Sequence, residues 1–129
     1  MAHLVDPNFW RGRRVFLTGH TGFKGSWLAL WLQALGAEVT GYALPPPAEP
    51  NLFTLAGAGR AMHSHLADLR DLPRLQAALQ QARPEVLFHL AAQPLVGVGY
   101  SDPLGTYGSN VTGTLHLLEA ARGCPTLRT

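Results

Sequence analysis

The stretch RVFLTGHTGFKGSWLALWLQ, Arg14 to Gln33, decides the reading of this 129-residue chain. Arg14–Gly19 (RVFLTG) is short and apolar, flanked by charge on one side and glycine on the other, as expected of a buried parallel strand. Lys24–Leu35 places Trp27, Leu28, Trp31, Leu32 and Leu35 at helical spacing, and Gly36 follows where a helix C′ glycine belongs. Trp27 and Trp31 lie one turn apart, which reads as core packing. Between strand and helix stand Gly19, Gly22 and Gly25. In this context Gly19 supplies the φ of a sharp turn, Gly22 lets a ligand approach the backbone, and Gly25 lets the helix pack closely. The helix N-terminus offers free N–H groups and a positive dipole end to an anion, with Lys24 beside it. The spacing is G-x-x-G-x-x-G, so a nucleotide-binding turn is weighed against glycines that serve turn geometry alone.

Glu38–Leu44 (EVTGYAL) reads as a second strand, completing a βαβ unit. Pro45–Pro50 (PPPAEP) is neither helix nor central strand. The segment from Asn51 to Arg60 reads as a short helix ended by glycines. Met62–Leu66 is a third strand and Asp71–Gln81 a helix with Asp71 as its N-cap. Glu85–Leu90 (EVLFHL) is a fourth, buried strand. Ala91–Asp102 reads as a loop. Leu104–Arg122 has a helical pattern in which Val111, Leu115, Leu118 and Ala121 share a face and Gly113 serves close packing. The alternation predicts an α/β fold, a doubly wound parallel sheet of the Rossmann type, truncated after the fourth strand and its helix.

Ten basic and eight acidic residues, with no basic run, argue against a nucleic-acid groove. The single cysteine, Cys124, excludes an intrachain disulfide and fits a reducing compartment. MAHLVDPNFWRGRRV lacks an apolar leader, and no apolar run is long enough to span a membrane, so cytoplasmic residence is expected. His63 and His65 lack further ligands at metal spacing, and no metal site is read. His89 reads as a satisfied core residue and His116 as a helix-face residue. An acid for the adenosine ribose is expected about 20 residues past the turn. The chain has GYALPPP there, with neither an acid nor an arginine for a 2′-phosphate, so the residues favour NAD over NADP without deciding it.

TGHTGFKGSWL resembles the TGxxGFxG cofactor turn of the extended short-chain dehydrogenase/reductase family, and of its NAD-dependent nucleotide-sugar epimerases and dehydratases in particular. GYALPPPAEPNLF, ADLRD, VLFHLAAQPLV and SNVTGTLHLLEAA follow in the family's order, so the resemblance runs from about Phe9 to Arg122. It implies that Gly19, Gly22 and Gly25 hold the NAD pyrophosphate, with Thr21, Phe23 and Lys24 alongside, and that His20 sits at the adenosine side. It implies that Asp68 and the Leu69 backbone face adenine, that Ala91, Ala92 and Gln93 line the path to the nicotinamide ribose, and that Ser109 lies near the cofactor. Asn110 would tie its helix to the strand loops. Family members often read LVRxSY where this chain has LVGVGY, so Gly97 and Gly99 stand where an Arg and a Ser would be.

The family's catalytic pair is Tyr-x-x-x-Lys. Here Tyr42, Tyr100 and Tyr107 are followed four residues on by Pro46, Leu104 and Val111, and Lys24 is the only lysine. No catalytic residue is therefore assigned. The resemblance implies the NAD-binding portion of a nucleotide-sugar dehydratase, with the later half and the sugar-nucleotide domain absent from residues 1–129 and no dehydration by this portion alone. A related epimerase, or a non-catalytic nucleotide-binding module, stays open. Exposure of the fourth strand as a sheet edge predicts a homo-oligomer.

Overall fold

A computed structural model describes residues 5–129. Residues 1–4, the start of the segment read as lacking a leader, lie outside the described residues. Four parallel strands form one sheet: β1 Arg14–Thr18, β2 Glu38–Ala43, β3 His63–Leu66 and β4 Val86–His89, in the order β3-β2-β1-β4. Val15 pairs with Val39 on one side and Val86 on the other. The helices are α1 Pro7–Trp10, α2 Phe23–Ala34, α3 Leu52–Leu55, α4 Leu72–Ala82, α5 Val96–Ser101, α6 Pro103–Tyr107 and α7 Gly113–Arg122.

The strands alternate their side chains between two cores. Val15, Leu17, Val39 and Val86 meet Ala29 and Leu32 of α2 on one face. Phe16 and Tyr42 meet Leu75, Ala78 and Leu79 of α4 and Leu117 and Ala120 of α7 on the other. Helices on both faces explain why Val15, Phe16 and Leu17 in the middle of β1 are all apolar and buried, and they make the sheet doubly wound as expected.

Local chemistry ends the helices where the sequence places the ends. Gly36 takes φ +84°, and the Asp71 carboxylate accepts from the Arg74 amide at 3.2 Å to cap α4. The region after Asn51 is a short helix, then Gly57 at φ +62° and a 3₁₀ turn, Ala58–Ala61.

Three expectations are corrected. Trp27 and Trp31 are 56% and 54% exposed rather than core residues. The buried face of α2 is Gly25, Ser26, Ala29 and Leu32, with Ala29 and Leu32 against the strands. This helix is apolar all round, so periodicity could not choose the face, and the small residues won because they allow close approach to the strands. On α7, likewise, Gly113, Leu117 and Ala120 are buried, while Leu115 and Leu118, with Val111 just before the helix, face outward. Gly113 packs closely there: an added Cβ would lie 3.1 Å from Leu69 Cβ, and Leu69 would have to give way by a few tenths of an ångström. The loop after β4 contains α5, which Gly97 and Gly99 obscured. It leads through α6, whose Asp102 cap holds the Gly105 amide at 2.9 Å, into a π-helical turn, Gly108–Thr112, and then α7.

Candidate functional site

The turn after β1 is built by its glycines. Gly19 adopts φ +79°, and a Cβ there would lie 2.6 Å from Ala91 N and 2.7 Å from Leu90 C. The β1 turn and the β4 loop therefore touch, and only glycine permits it. Gly25 seats the first turn of α2 on the Gly19 carbonyl and His20 Cα, where any Cβ would collide. Its close packing is thus against the turn itself rather than the sheet. Gly22 is the N-cap of α2 and lacks a side-chain cap. Gly22, Phe23 and Lys24 are exposed, so the first amides of a 12-residue helix open to solvent.

Thr21 is buried and donates its hydroxyl to the Leu44 carbonyl at 2.8 Å, tying the turn to the end of β2. His20 is fully buried. Its Nε2 lies 2.7 Å from Ser64 Oγ, and its ring packs edge-on to Phe53 and against Gly41, where no Cβ would fit. His20 Nδ1 has no partner among the described residues. Burial, with a smaller contribution from His65, pushes its pKa down to about 4. The ring is thus enclosed by protein behind the turn.

The ADLRD loop follows β3 at the same, carboxyl end of the sheet. Asp68 is held by Arg70, whose Nη2 donates at 2.6 Å, and these hydrogen bonds keep its carboxyl below the usual range despite partial burial. The Leu69 carbonyl lies 3.0 Å from His116 Nδ1, and the Leu69 side chain is buried. The Tyr42 hydroxyl donates to the Asp68 carbonyl at 3.1 Å from within the core, and burial pushes its pKa up to about 12.

The β4 loop completes the constellation. Ala91 N donates to Thr18 Oγ1 at 3.2 Å. Ala92 is exposed. Gln93 is clamped: its amide donates to Asn110 Oδ1 at 2.7 Å, and Asn110 Nδ2 returns a bond to its carbonyl at 3.0 Å. Asn110 does tie the π turn to the strand loop, and Ser109 precedes it on that turn. An added Cβ at Gly97 or Gly99 would meet nothing within 4 Å, so both positions stand open.

The structure thus gathers the turn, the ADLRD loop and the β4 loop at the carboxyl edge of the sheet, around the point where strand order reverses between β1 and β4. Open α/β sheets place their ligands at that crevice. The contacts that join Thr18, His89 and Thr114 behind it escaped sequence reasoning, because nothing in VLFHL reveals what flanks His89 in space.

The family described as GDP-mannose 4,6 dehydratase matches residues 16–129. A CDP-glucose 4,6-dehydratase of Salmonella typhimurium is 52% identical over 92% of this chain and 33% of its own length. A GDP-mannose 4,6-dehydratase of Vibrio cholerae is 33% identical over 85% of the chain and 31% of its own. The chain therefore spans about a third of the length of the curated relatives it matches. Among solved structures, a UDP-glucose-4-epimerase from Stenotrophomonas maltophila with bound NAD superposes at TM-score 0.77, with 29% identity over 89% of this chain and 35% of the other. A UDP-glucose 4-epimerase of Thermus thermophilus in complex with NAD gives 0.75, with 33% identity over 88% and 36%. With the parallel sheet, the glycine turn and the matched residues all in agreement, the chain belongs to the GDP-mannose 4,6-dehydratase family of nucleotide-sugar dehydratases and epimerases.

Proposed function

We propose that the chain is the NAD-binding portion of a nucleotide-sugar dehydratase acting on CDP-glucose. The observation that carries this is the uncapped, solvent-facing N-terminus of α2 directly after Gly19, at the strand-order reversal. The residues fit a dinucleotide. The cradle is lined by glycines and main-chain amides, and Lys24 stands exposed beside it. The similarity to the Salmonella protein favours CDP-glucose as the sugar nucleotide.

In this reading the amides of residues 23–25 hold the diphosphate, while the Gly22 amide donates to the Gly19 carbonyl at 3.1 Å and closes the turn. The Asp68–Leu69 loop borders adenine, and Ala91, Ala92, Gln93 and Ser109 border the nicotinamide side. His20 acts from behind the turn, fixing its position through Ser64 and Gly41. When bound, NAD supplies a hydride acceptor for the sugar C4. The proton transfers that accompany oxidation and loss of water belong to a Tyr-x-x-x-Lys pair that residues 1–129 do not contain. NAD is preferred to NADP because Leu44, and no arginine, stands at the end of β2.

Residues 1–129 form one dinucleotide-binding domain without its later half. Self-association and cytoplasmic residence belong to the same proposal. Among the described residues no helix is long and apolar enough to cross a membrane. The epimerase neighbours support a second reading, the same domain in a nucleotide-sugar epimerase.

Calorimetric titration of the chain with NAD and with NADP tests the proposal. Saturable binding that favours NAD is expected, without conversion of CDP-glucose. Absence of binding to either dinucleotide would overturn the cofactor assignment, and turnover by the isolated chain would overturn the division of labour.

A further inference from the structure

Behind the β4 loop runs a chain of hydrogen bonds whose direction can be worked out atom by atom. Thr18 Oγ1, at the end of β1, accepts from the Leu90 amide at 3.1 Å and the Ala91 amide at 3.2 Å. A hydroxyl oxygen has two lone pairs, and both are thereby used. Its single proton is left for His89 Nδ1, 2.7 Å away. Nδ1 must then be the bare ring nitrogen, and the neutral imidazole carries its proton on Nε2. Nε2 lies 2.9 Å from Thr114 Oγ1, which accepts it and donates its own proton to the Asn110 carbonyl at 2.7 Å. Asn110 is the residue whose side chain grips both backbone groups of Gln93. Every proton and lone pair that the chain needs is matched, in one direction only.

The chain joins the paired ends of β1 and β4 to the continuous π turn and α7 through side chains. The Leu90–Gln93 segment has no strand partner beyond the Leu90 amide, which also meets the Thr18 carbonyl at 3.2 Å. Its position is set by Thr18 at one end and Asn110 at the other. His89 is the piece that fixes the distance between those two anchors. The imidazole is half-buried and burial lowers its pKa, in keeping with a ring held neutral.

We propose that His89, held as its Nε2–H tautomer between Thr18 and Thr114, is a positioning residue that sets the Leu90–Gln93 segment against the cofactor. This rests on the reading above that the segment borders the nicotinamide side. It adds a residue set back from the crevice whose ring does not need to touch the dinucleotide to govern its binding.

The test uses the chain itself and its Thr114→Val and Thr114→Ser variants. Valine keeps the shape of threonine and removes the hydroxyl, whereas serine keeps the hydroxyl. Imidazole ¹H–¹⁵N correlation spectra should show the His89 proton on Nε2. Exchange of the Gln93 amide should quicken roughly tenfold in Thr114→Val and stay as in the parent in Thr114→Ser, the size expected for one lost hydrogen bond. NAD affinity by calorimetry should fall by a similar factor in the valine variant and be restored by serine. A proton on Nδ1, or a Gln93 amide unchanged in Thr114→Val, overturns the proposal. An intact exchange effect in a parent chain that does not bind NAD overturns the cofactor reading instead, and with it the claim that the segment is set for a dinucleotide.

Discussion

At the scale of single residues, the three glycines of the turn do different work, and substitution separates them. Gly25→Ala drives a methyl into the Gly19 carbonyl, so the variant is expected to lose several kcal/mol of stability in urea unfolding, at about the upper end for single substitutions. Gly22 has φ −78°, and its nearest contact for a Cβ is the Gly19 carbonyl at 3.4 Å. Gly22→Ala should therefore stay within about 1 kcal/mol of the parent, the scale of a weakened N-cap. Its NAD affinity should nevertheless drop at least tenfold, because the methyl occupies the approach to the diphosphate. Equal affinity in calorimetry would place the diphosphate elsewhere.

His20 yields a pH dependence at the same scale. Its folded-state pKa, about 4, lies below the ordinary 6.5. As pH falls through 6.5 the unfolded chain takes up the proton first, so stability is complete above that point and declines towards pH 4. The full loss is about 3 kcal/mol for this group. Burial lowers the pKa values of His65 and His89 in the same direction, adding to the slope. Urea midpoints between pH 7 and pH 4 check this, and His20→Asn should flatten the curve. A parent and variant with the same slope would contradict the burial argument.

At the scale of elements, α2 shows how an evenly apolar helix hides its orientation. Its buried stripe contains the small residues Gly25, Ser26 and Ala29 with only Leu32 as a large member, and its tryptophans face out. Leu32→Ala should cost about 2–5 kcal/mol, as expected for a truncation in a packed core. Trp31→Gln should cost less than about 1 kcal/mol, as a surface change does. Reversal of that ranking in chemical denaturation would mean that the helix is turned about its axis. In α7 the buried residues are Gly113, Leu117 and Ala120, with Gly113 packed tightly against Leu69. The π turn just before α7 sets Asn110 and Thr114 where the β4 loop needs them.

At the scale of the whole molecule, self-association is expected, though through a different surface from the bare β4 edge that the strand order suggests. The Arg128 amide donates to the Glu85 carbonyl and the Leu87 amide to the Thr129 carbonyl, both at 2.9 Å, so the end of the chain already lies along that edge. Val111, Leu115 and Leu118 form an outward apolar stripe, each residue more than half exposed. Sedimentation should show a concentration-dependent dimer for the parent chain and a monomer for Leu115→Lys. A parent monomeric at all concentrations counts against the oligomer, and a dimeric Leu115→Lys moves it to another face.

Several features were written in the sequence because they rest on local chemistry. β1 is legible as an apolar run, Gly19 and Gly36 as left-handed turns, Asp71 as a cap, and the βαβ order as a parallel sheet with helices on both faces. The carboxyl-edge crevice follows from that order. Other features needed the folded molecule. Which faces of α2 and α7 turn inward was decided by the clearance between helix and sheet, which no hydrophobic period reports when both faces are apolar. The enclosure of His20 over Gly41, and the link from Thr18 through His89 to Thr114, join residues between 21 and 71 positions apart in the chain. Such contacts arise only when strands from distant segments come to lie side by side, so tertiary packing alone could decide them.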